Sequence, residues 1–233
     1  MSTAWQIAEK LARGVAAVRH ARALHPRGRT YRATVRATGR TPGYGVDLLD
    51  RPGEYAALVR LSRGGSLPDG WPDVLGIGLR VYDGGAPGTD LDLLASTAAG
   101  RMPLLRHLPL PRRHIAAIYT TIAGYSTNQG RRYLAVLPDL TSRDLGTDLD
   151  ELPDPRRERV SLLLAVASPW GIFHTFARIT LREPVPEDLD ARLAFDPVRN
   201  SVPGLRADGF VQRLRAVTYQ GSREGRLVQP SKR

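Results

Sequence analysis

The residues best suited to chemistry lie near the C-terminus, where Arg215 and Tyr219 stand four positions apart. In a helix, side chains at that spacing project from the same face. A neighbouring guanidinium favours the phenolate form of a tyrosine, whose free pKa is about 10. A phenolate is a hard anionic ligand, and tyrosine serves as an axial ligand of haem iron. The pair predicts an iron-ligating tyrosine; the alternative is an amphipathic basic helix whose tyrosine only packs.

Three upstream segments carry further candidate residues. Residues 22–28 read Arg-Ala-Leu-His-Pro-Arg-Gly and place a histidine just before an alternating, strand-like stretch. Residues 58–65 read Leu-Val-Arg-Leu-Ser-Arg-Gly-Gly, and residues 71–82 read Trp-Pro-Asp-Val-Leu-Gly-Ile-Gly-Leu-Arg-Val-Tyr. These motifs are followed along the chain by the C-terminal Arg-x-x-x-Tyr and by Arg226, seven residues beyond the tyrosine. In this order they resemble the haem core of the catalase family. Catalases carry Arg-x-x-His before the first barrel strand, Val-Arg-Phe-Ser in the second and Asp-x-x-Gly leading the third.

The resemblance, which covers roughly residues 20–95 and 205–226, implies an α+β fold. We expect a catalase-like antiparallel β-barrel with flanking helices and a proximal haem-binding helix near the C-terminus. A length of 233 residues predicts one domain over 1–233. Its parts would be an N-terminal helix over about 1–24, the barrel with inserted helices over 25–183 and the proximal helix over 206–226. This size is similar to that of the small mini-catalase relatives, which lack the long N-terminal arm, wrapping segment and C-terminal domain.

The resemblance assigns haem b as the cofactor and gives its contacts to five residues. Tyr219 would ligate the iron, and Arg215 would hold the negative charge of the phenolate. Arg22, Arg60 and Arg226 match the positions that bind the haem propionates, and paired guanidinium donors suit carboxylates.

The distal side of the haem would be formed by residues from the first strands. His25 would move the peroxide proton as general base and then acid, and Ser62 would orient its ring. Catalases place an asparagine there, in Asp-Leu-x-x-Asn-Asn-x-Pro, whereas residues 92–98 read Asp-Leu-Leu-Ala-Ser-Thr-Ala. Thr97 or Ser96 would take its place, and a hydroxyl is a shorter, less directional donor. The other histidines lack such a context and are predicted to be structural or exposed: His20, His107, His114 and His174.

These assignments predict a haem-dependent peroxidase-type oxidoreductase. It would act on hydrogen peroxide or an organic hydroperoxide with a small reducing substrate, and it would have weak catalase activity. One alternative is a hydroperoxide-rearranging or biosynthetic haem enzyme, similar to the coral allene oxide synthase of the same superfamily. The other is a basic binding protein that keeps the barrel without haem. The oligomeric state is left open, with a homo-oligomer among the alternatives.

Composition and charge argue against several other classes of function. The formal net charge is +11, but the arginines are spread along the chain and aromatic residues make up only 6%. A nucleic-acid interface is therefore disfavoured, because it needs a basic patch and stacking side chains. The absence of cysteine excludes disulfides and thiolate metal sites. No apolar run approaches the ~18 residues of a membrane span. The N-terminus shows no secretory pattern, so we expect a cytoplasmic protein.

Periodicity and turn signals predict the elements that must position these residues. Helices are expected over 3–24, around 114–124, over 185–194 and over 206–222. Strands are expected near 31–38, 55–62, 74–82, 90–96, 131–137 and 158–167, with 173–182 forming a hairpin with the strand before it. Residues 143–157 should form an acidic surface connection.

Overall fold

The computed structural model describes residues 27–39, 43–64, 71–100, 103, 105–106, 108–121, 124–197 and 199–207. Within these ranges there are ten strands and two short helices. The strands are β1 (Arg27–Thr38), β2 (Pro52–Arg63), β3 (Leu75–Ala86), β4 (Thr89–Thr97), β5 (Tyr119–Thr120), β6 (Tyr125–Thr127), β7 (Gly130–Pro138), β8 (Ser161–Ala167), β9 (His174–Pro184) and β10 (Arg206–Ala207). The helices are α1 (Asp47–Asp50) and α2 (Glu187–Arg192).

Eight of the strands close into an antiparallel barrel. Around it the order is β1, β2, β3, β4, β5, β7, β8 and β9, and β9 pairs again with β1. Closure gives each of these eight strands a hydrogen-bonded neighbour on both sides. Within β4, the two-residue β5 pairs only with Ser96 and Thr97, and the backbone N–H of Asp92 in β4 donates to the Asn200 carbonyl outside the sheet. Strands β6 and β10 extend from β7 outside the ring.

Side-chain alternation sorts each barrel strand into a core face and an outer face. In β2, Val59 and Leu61 belong to the main hydrophobic core, whereas Arg60 and Ser62 alternate with them and therefore lie on the outer face. Both outer residues are nevertheless buried, at 7% and 6% exposure. A second, smaller apolar cluster packs on this face around Leu58. The outer surface of β2 is thus a covered, partly polar layer.

A row of small residues runs across the outer face in register. We call this row the small-residue belt: Ser62, Gly76, Ser96, Thr120, Ala135 and Ala165, contributed by β2, β3, β4, β5, β7 and β8. Every member is buried. Because none carries a large side chain, the belt forms a shallow, even floor along six strands.

The strand predictions are confirmed, including the hairpin of β8 with β9, and so is the short helix within 185–194. The helix predicted around 114–124 is wrong, since residues 119–120 form strand β5 and bends precede them. The β-branched residues of this segment suit a strand, and it fills the barrel between β4 and β7. The fold class α+β is also too loose, because the two helices contribute only four and six residues to a mostly β structure.

Both terminal helices of the sequence prediction fall largely beyond the described part of the chain. The N-terminal helix, predicted over 3–24, lies wholly outside it. At the other end, Arg206 and Ala207 pair with β6 instead of beginning a helix, and the remainder of 206–226 lies outside the described residues. No helix within the described ranges has the length and apolar character needed to cross a membrane.

Candidate functional site

Three of the predicted site residues lie in the described barrel: Arg60, Ser62 and Thr97. The other predicted site residues lie outside the described ranges: Arg22, His25, Arg215, Tyr219 and Arg226. The structure therefore gives the position of one predicted propionate-binding arginine and of two predicted distal residues, whose roles stay predictions.

Ser62 is fixed on the outer face by its neighbours in the sheet. It stands opposite Gly28 of β1 and Gly76 of β3, and its hydroxyl donates a hydrogen bond to the Gly76 carbonyl at 3.1 Å. A serine hydroxyl that donates in this way keeps lone pairs that can accept. Ser62 can therefore still accept an N–H from an imidazole above the outer face.

Thr97 lies on the opposite side of the sheet from Ser62. It is fully buried, and its hydroxyl oxygen accepts the backbone N–H of Leu75 at 3.1 Å. The structure brings Ser96 to the outer face instead, because Ser96 and Ser62 flank Gly76 in the register. Two strand spacings separate their backbones, about 9–10 Å. Of the two residues that could replace the catalase asparagine, Ser96 is the one that shares a face with Ser62.

Arg60 lies one row from the belt and is held in a buried polar cluster. Its Nε is 3.6 Å from Oδ1 of Asp190 in α2, and the Thr30 hydroxyl donates to the same carboxylate. The guanidinium packs against Gly28, where a Cβ would come within 2.6 Å of it. A larger residue at position 28 would therefore displace the Arg60 guanidinium. No sequence pattern singles out Asp190 among the acidic residues of α2.

A buried ion pair holds Asp196 and Asn200 against the outer face. Asp92 is fully buried and accepts two hydrogen bonds from Arg80, each of 2.7 Å. It also accepts the backbone N–H of Asp196 and the side-chain amide of Asn200. The hydrogen bond to Asp92 raises the pKa of Arg80, outweighing burial, which lowers it. This carboxylate anchors the segment that carries Phe195.

The Phe195 ring packs on Gly78, in the row of outer-face residues next to the small-residue belt. A Cβ at Gly78 would lie 3.0 Å from its ring, and the Arg80 guanidinium carbon lies 5.6 Å from the ring centroid. Gly78 stands opposite Arg60 in the register. The ring therefore packs on the strand position opposite Arg60, one row from the belt.

The described histidines take no part in this cluster. His114 and His174 are both exposed, as the sequence predicted, while His20 and His107 lie outside the described residues. Among the residues that the structure describes, no group of three or more His, Cys, Asp or Glu side chains could hold a metal ion.

Comparison with known proteins shows which solved structures have a similar fold. No protein-family model matches the chain, and no curated protein matches its sequence. Among solved structures it is similar to a fungal catalase, with a TM-score of 0.60 and 15% identity over 96% of this chain and 63% of that one. A bacterial catalase gives a TM-score of 0.58 and 14% identity over 97% and 61%. The chain thus spans about three fifths of the length of each catalase. At these identities the similarity shows a catalase-like fold.

Proposed function

We propose that this protein is a haem-dependent, peroxidase-type oxidoreductase that acts on hydrogen peroxide or an organic hydroperoxide and has weak catalase activity. One observation carries the proposal. Within a catalase-like barrel, Arg60 and Ser62 are buried side by side on the outer face, at the positions where the sequence motif resembles the catalase propionate-binding arginine and ring-orienting serine.

The described outer face fits a flat cofactor that carries carboxylates. The small-residue belt offers an even floor, and Arg60 lies at its margin with a guanidinium whose pairing geometry suits a carboxylate. The hydroxyls of Ser62 and Ser96 provide polar groups on the same floor. Haem bound here would supply the redox chemistry: oxidation by the peroxide and return to the resting state by a small electron donor.

The remaining contacts are proposed for residues beyond the described ranges. Tyr219, supported by Arg215, would bind the iron. Arg22 and Arg226 would join Arg60 in binding the propionates. Arginine suits this task because its charge persists at all physiological pH values.

His25 is proposed to move the peroxide proton. It precedes Gly28 by three residues, and three residues span at most about 11 Å. Since Gly28 stands opposite Ser62, this length of chain is compatible with the proposed contact between the His25 imidazole and the Ser62 hydroxyl. Acceptance of one imidazole N–H by Ser62 would fix the tautomer, leaving the other nitrogen to take and return the proton.

The test is the visible spectrum of the full-length protein reconstituted with haem. We expect a strong Soret band and a high-spin ferric spectrum with a phenolate charge-transfer band. Tyr219→Phe should lose haem or change this spectrum, whereas the matched variant Tyr82→Phe should leave it unchanged. An identical spectrum in Tyr219→Phe would reject the ligand assignment. A wild-type protein that binds no haem would reject the function.

A second candidate, a barrel that works without haem, is favoured by the contact between Arg60 and Asp190. That ion pair compensates the charge of Arg60 within the protein itself, so no propionate is needed to stabilise the buried guanidinium. The same spectrum separates the two candidates, because only the haem protein gains a Soret band.

A further inference from the structure

Arg106 is a buried cation with an unusual set of contacts. The residue is 1% exposed. Its Nη1 and Nη2 donate to the carbonyls of Ser168 and Gly171 at 3.1 and 2.6 Å, and its guanidinium carbon lies 4.8 Å from the Phe173 ring centroid. Its Nε is buried and has no hydrogen-bond partner within the part of the chain that the structure describes. One charged donor therefore stays unsatisfied.

Arg106 also has no counter-charge among the described residues. No carboxylate among the described residues forms an ion pair with it, and among the same residues only Tyr133 opposes the effect of desolvation on its pKa. Burial accordingly lowers the pKa of Arg106. Three other arginines of the described residues with side chains of 16% exposure or less each contact an aspartate: Arg60 with Asp190, Arg63 with Asp73 and Arg80 with Asp92. A buried charge without such a partner is costly.

The position of Arg106 connects it to the outer face. The Thr120 hydroxyl donates to the Arg106 carbonyl, so the Arg106 backbone lies against the small-residue belt. The guanidinium extends to the loop that follows β8. Beside Thr120 the belt continues through Ala135 and Ala165, which are both small and apolar.

We propose that Arg106 binds the carboxylate of an organic ligand whose apolar body lies along the small-residue belt. The Nε–H of Arg106 supplies a charge-assisted hydrogen bond, and the alanines of β7 and β8 supply apolar contact. Two sources offer this chemistry: a free organic acid and a propionate of haem. The site goes beyond the proposed peroxidase function and does not require it, because the carboxylate is bound by the protein itself.

The test measures octanoate binding to the haem-free, full-length protein by calorimetry at constant ionic strength. We compare wild type, Arg106→Gln and Arg182→Gln, which removes the same charge from an exposed position of β9. Octanoate should bind wild type and Arg182→Gln equally and should bind Arg106→Gln about tenfold to a hundredfold more weakly. Equal affinity in Arg106→Gln, or no binding to wild type, would overturn the proposal.

Two further measurements keep the proposal falsifiable if Arg106→Gln fails to fold. Octanoate should raise the melting temperature of wild type, whereas octanol, which has the same chain without the charge, should not. Equal stabilisation by the two compounds would refute carboxylate recognition. Arg106→Lys keeps the charge but loses the guanidinium donors, so its octanoate affinity should lie between those of wild type and Arg106→Gln; an affinity equal to that of wild type would also refute the proposal.

A parallel experiment with haem-loaded protein distinguishes the two sources of the carboxylate. If the haem-loaded protein still binds octanoate, the ligand is a free organic acid. If haem abolishes octanoate binding and Arg106→Gln weakens haem binding, the carboxylate belongs to the cofactor. A protein that binds octanoate through Arg106 but never binds haem supports the site while rejecting the peroxidase function.

Discussion

The Nε of Arg60 lies 3.6 Å from the Oδ1 of Asp190, and this ion pair joins β2 to α2 across the outer face of the barrel. The two side chains are only 8% and 14% exposed. Thr30 of β1 donates its hydroxyl to the same carboxylate. Because both charges are removed from water, each depends on the other and on this hydrogen bond for its stability in the fold. The short helix α2 is thereby fastened over the proposed site.

We expect Asp190→Asn to lower the free energy of unfolding by about 3 kcal/mol, since it leaves the buried Arg60 charge without this partner. Urea unfolding followed by circular dichroism measures the effect. The control is Asp188→Asn, an exposed position of the same helix, which should change the stability by less than about 0.5 kcal/mol. Equal, small effects in the two variants would show that the ion pair contributes little.

The sequence predicted the strands of the barrel well because their alternating apolar residues and intervening turns are local signals. It failed at 114–124, where local composition allowed a helix and the closed sheet required strand β5. Tertiary pairing across β4 and β7 decides that segment, and no single-chain pattern records it.

The candidate site shows the same limit. Motif spacing placed Arg60 and Ser62 together, as two residues on one face of a strand must be. It left Ser96 and Thr97 as alternatives, because the choice depends on the register of β4 against β3. Asp190 and Arg106 were missed altogether. Their importance comes from burial and from contacts with residues distant in the chain, such as Arg60 and Ser168.

A pH-dependent contribution to stability is expected from Asp139. Burial alone would raise its pKa, but hydrogen bonds from Ser161 and Thr141 and the nearby Arg178 charge outweigh burial and lower it below 3.8. A carboxyl with a lowered pKa stabilises the fold above its unfolded value of 3.8, and this contribution is lost as the pH falls through the lower folded value.

Asp139→Asn should therefore cost about 2 kcal/mol at pH 7, and the difference from wild type should shrink below about pH 4. Urea unfolding at pH 7, 5 and 3 checks this. Asp148→Asn, a change on the surface connection that removes the same charge, should show no such convergence. A difference from wild type that stays constant with pH would mean that Asp139 acts through shape alone.

The acid–base role proposed for His25 predicts a kinetic defect with retained haem. His25→Ala should slow the reaction with hydrogen peroxide by roughly 10²-fold or more, the usual weight of a positioned acid–base group. Ser62→Ala should slow it less, because Ser62 only orients the ring. Stopped-flow spectroscopy measures both rates, and His114→Ala, at an exposed position, is the control. A wild-type rate in His25→Ala would show that His25 takes no part in the proton transfer.

The last prediction concerns the hydroxyl that the sequence resemblance assigns to the position of the catalase asparagine. Catalase turnover needs a second peroxide to be oriented on the distal side, whereas peroxidase turnover needs only an electron donor. Wild type should therefore release oxygen from hydrogen peroxide slowly while oxidising a phenolic dye readily. Ser96→Asn places a longer, more directional amide donor on the face of Ser62, so it should raise the ratio of oxygen release to dye oxidation by about tenfold, a size we base on one charge-free hydrogen bond.

Thr97→Asn is the matched comparison, because it adds the same amide one residue further along β4. Thr97 is fully buried on the core face, and its hydroxyl accepts the Leu75 N–H. The larger polar side chain should therefore destabilise the barrel by about 1–3 kcal/mol without raising the ratio of oxygen release to dye oxidation. An oxygen electrode and a dye assay on one preparation of each variant measure that ratio. A gain in Thr97→Asn instead of Ser96→Asn would assign the distal position to Thr97 and contradict the register.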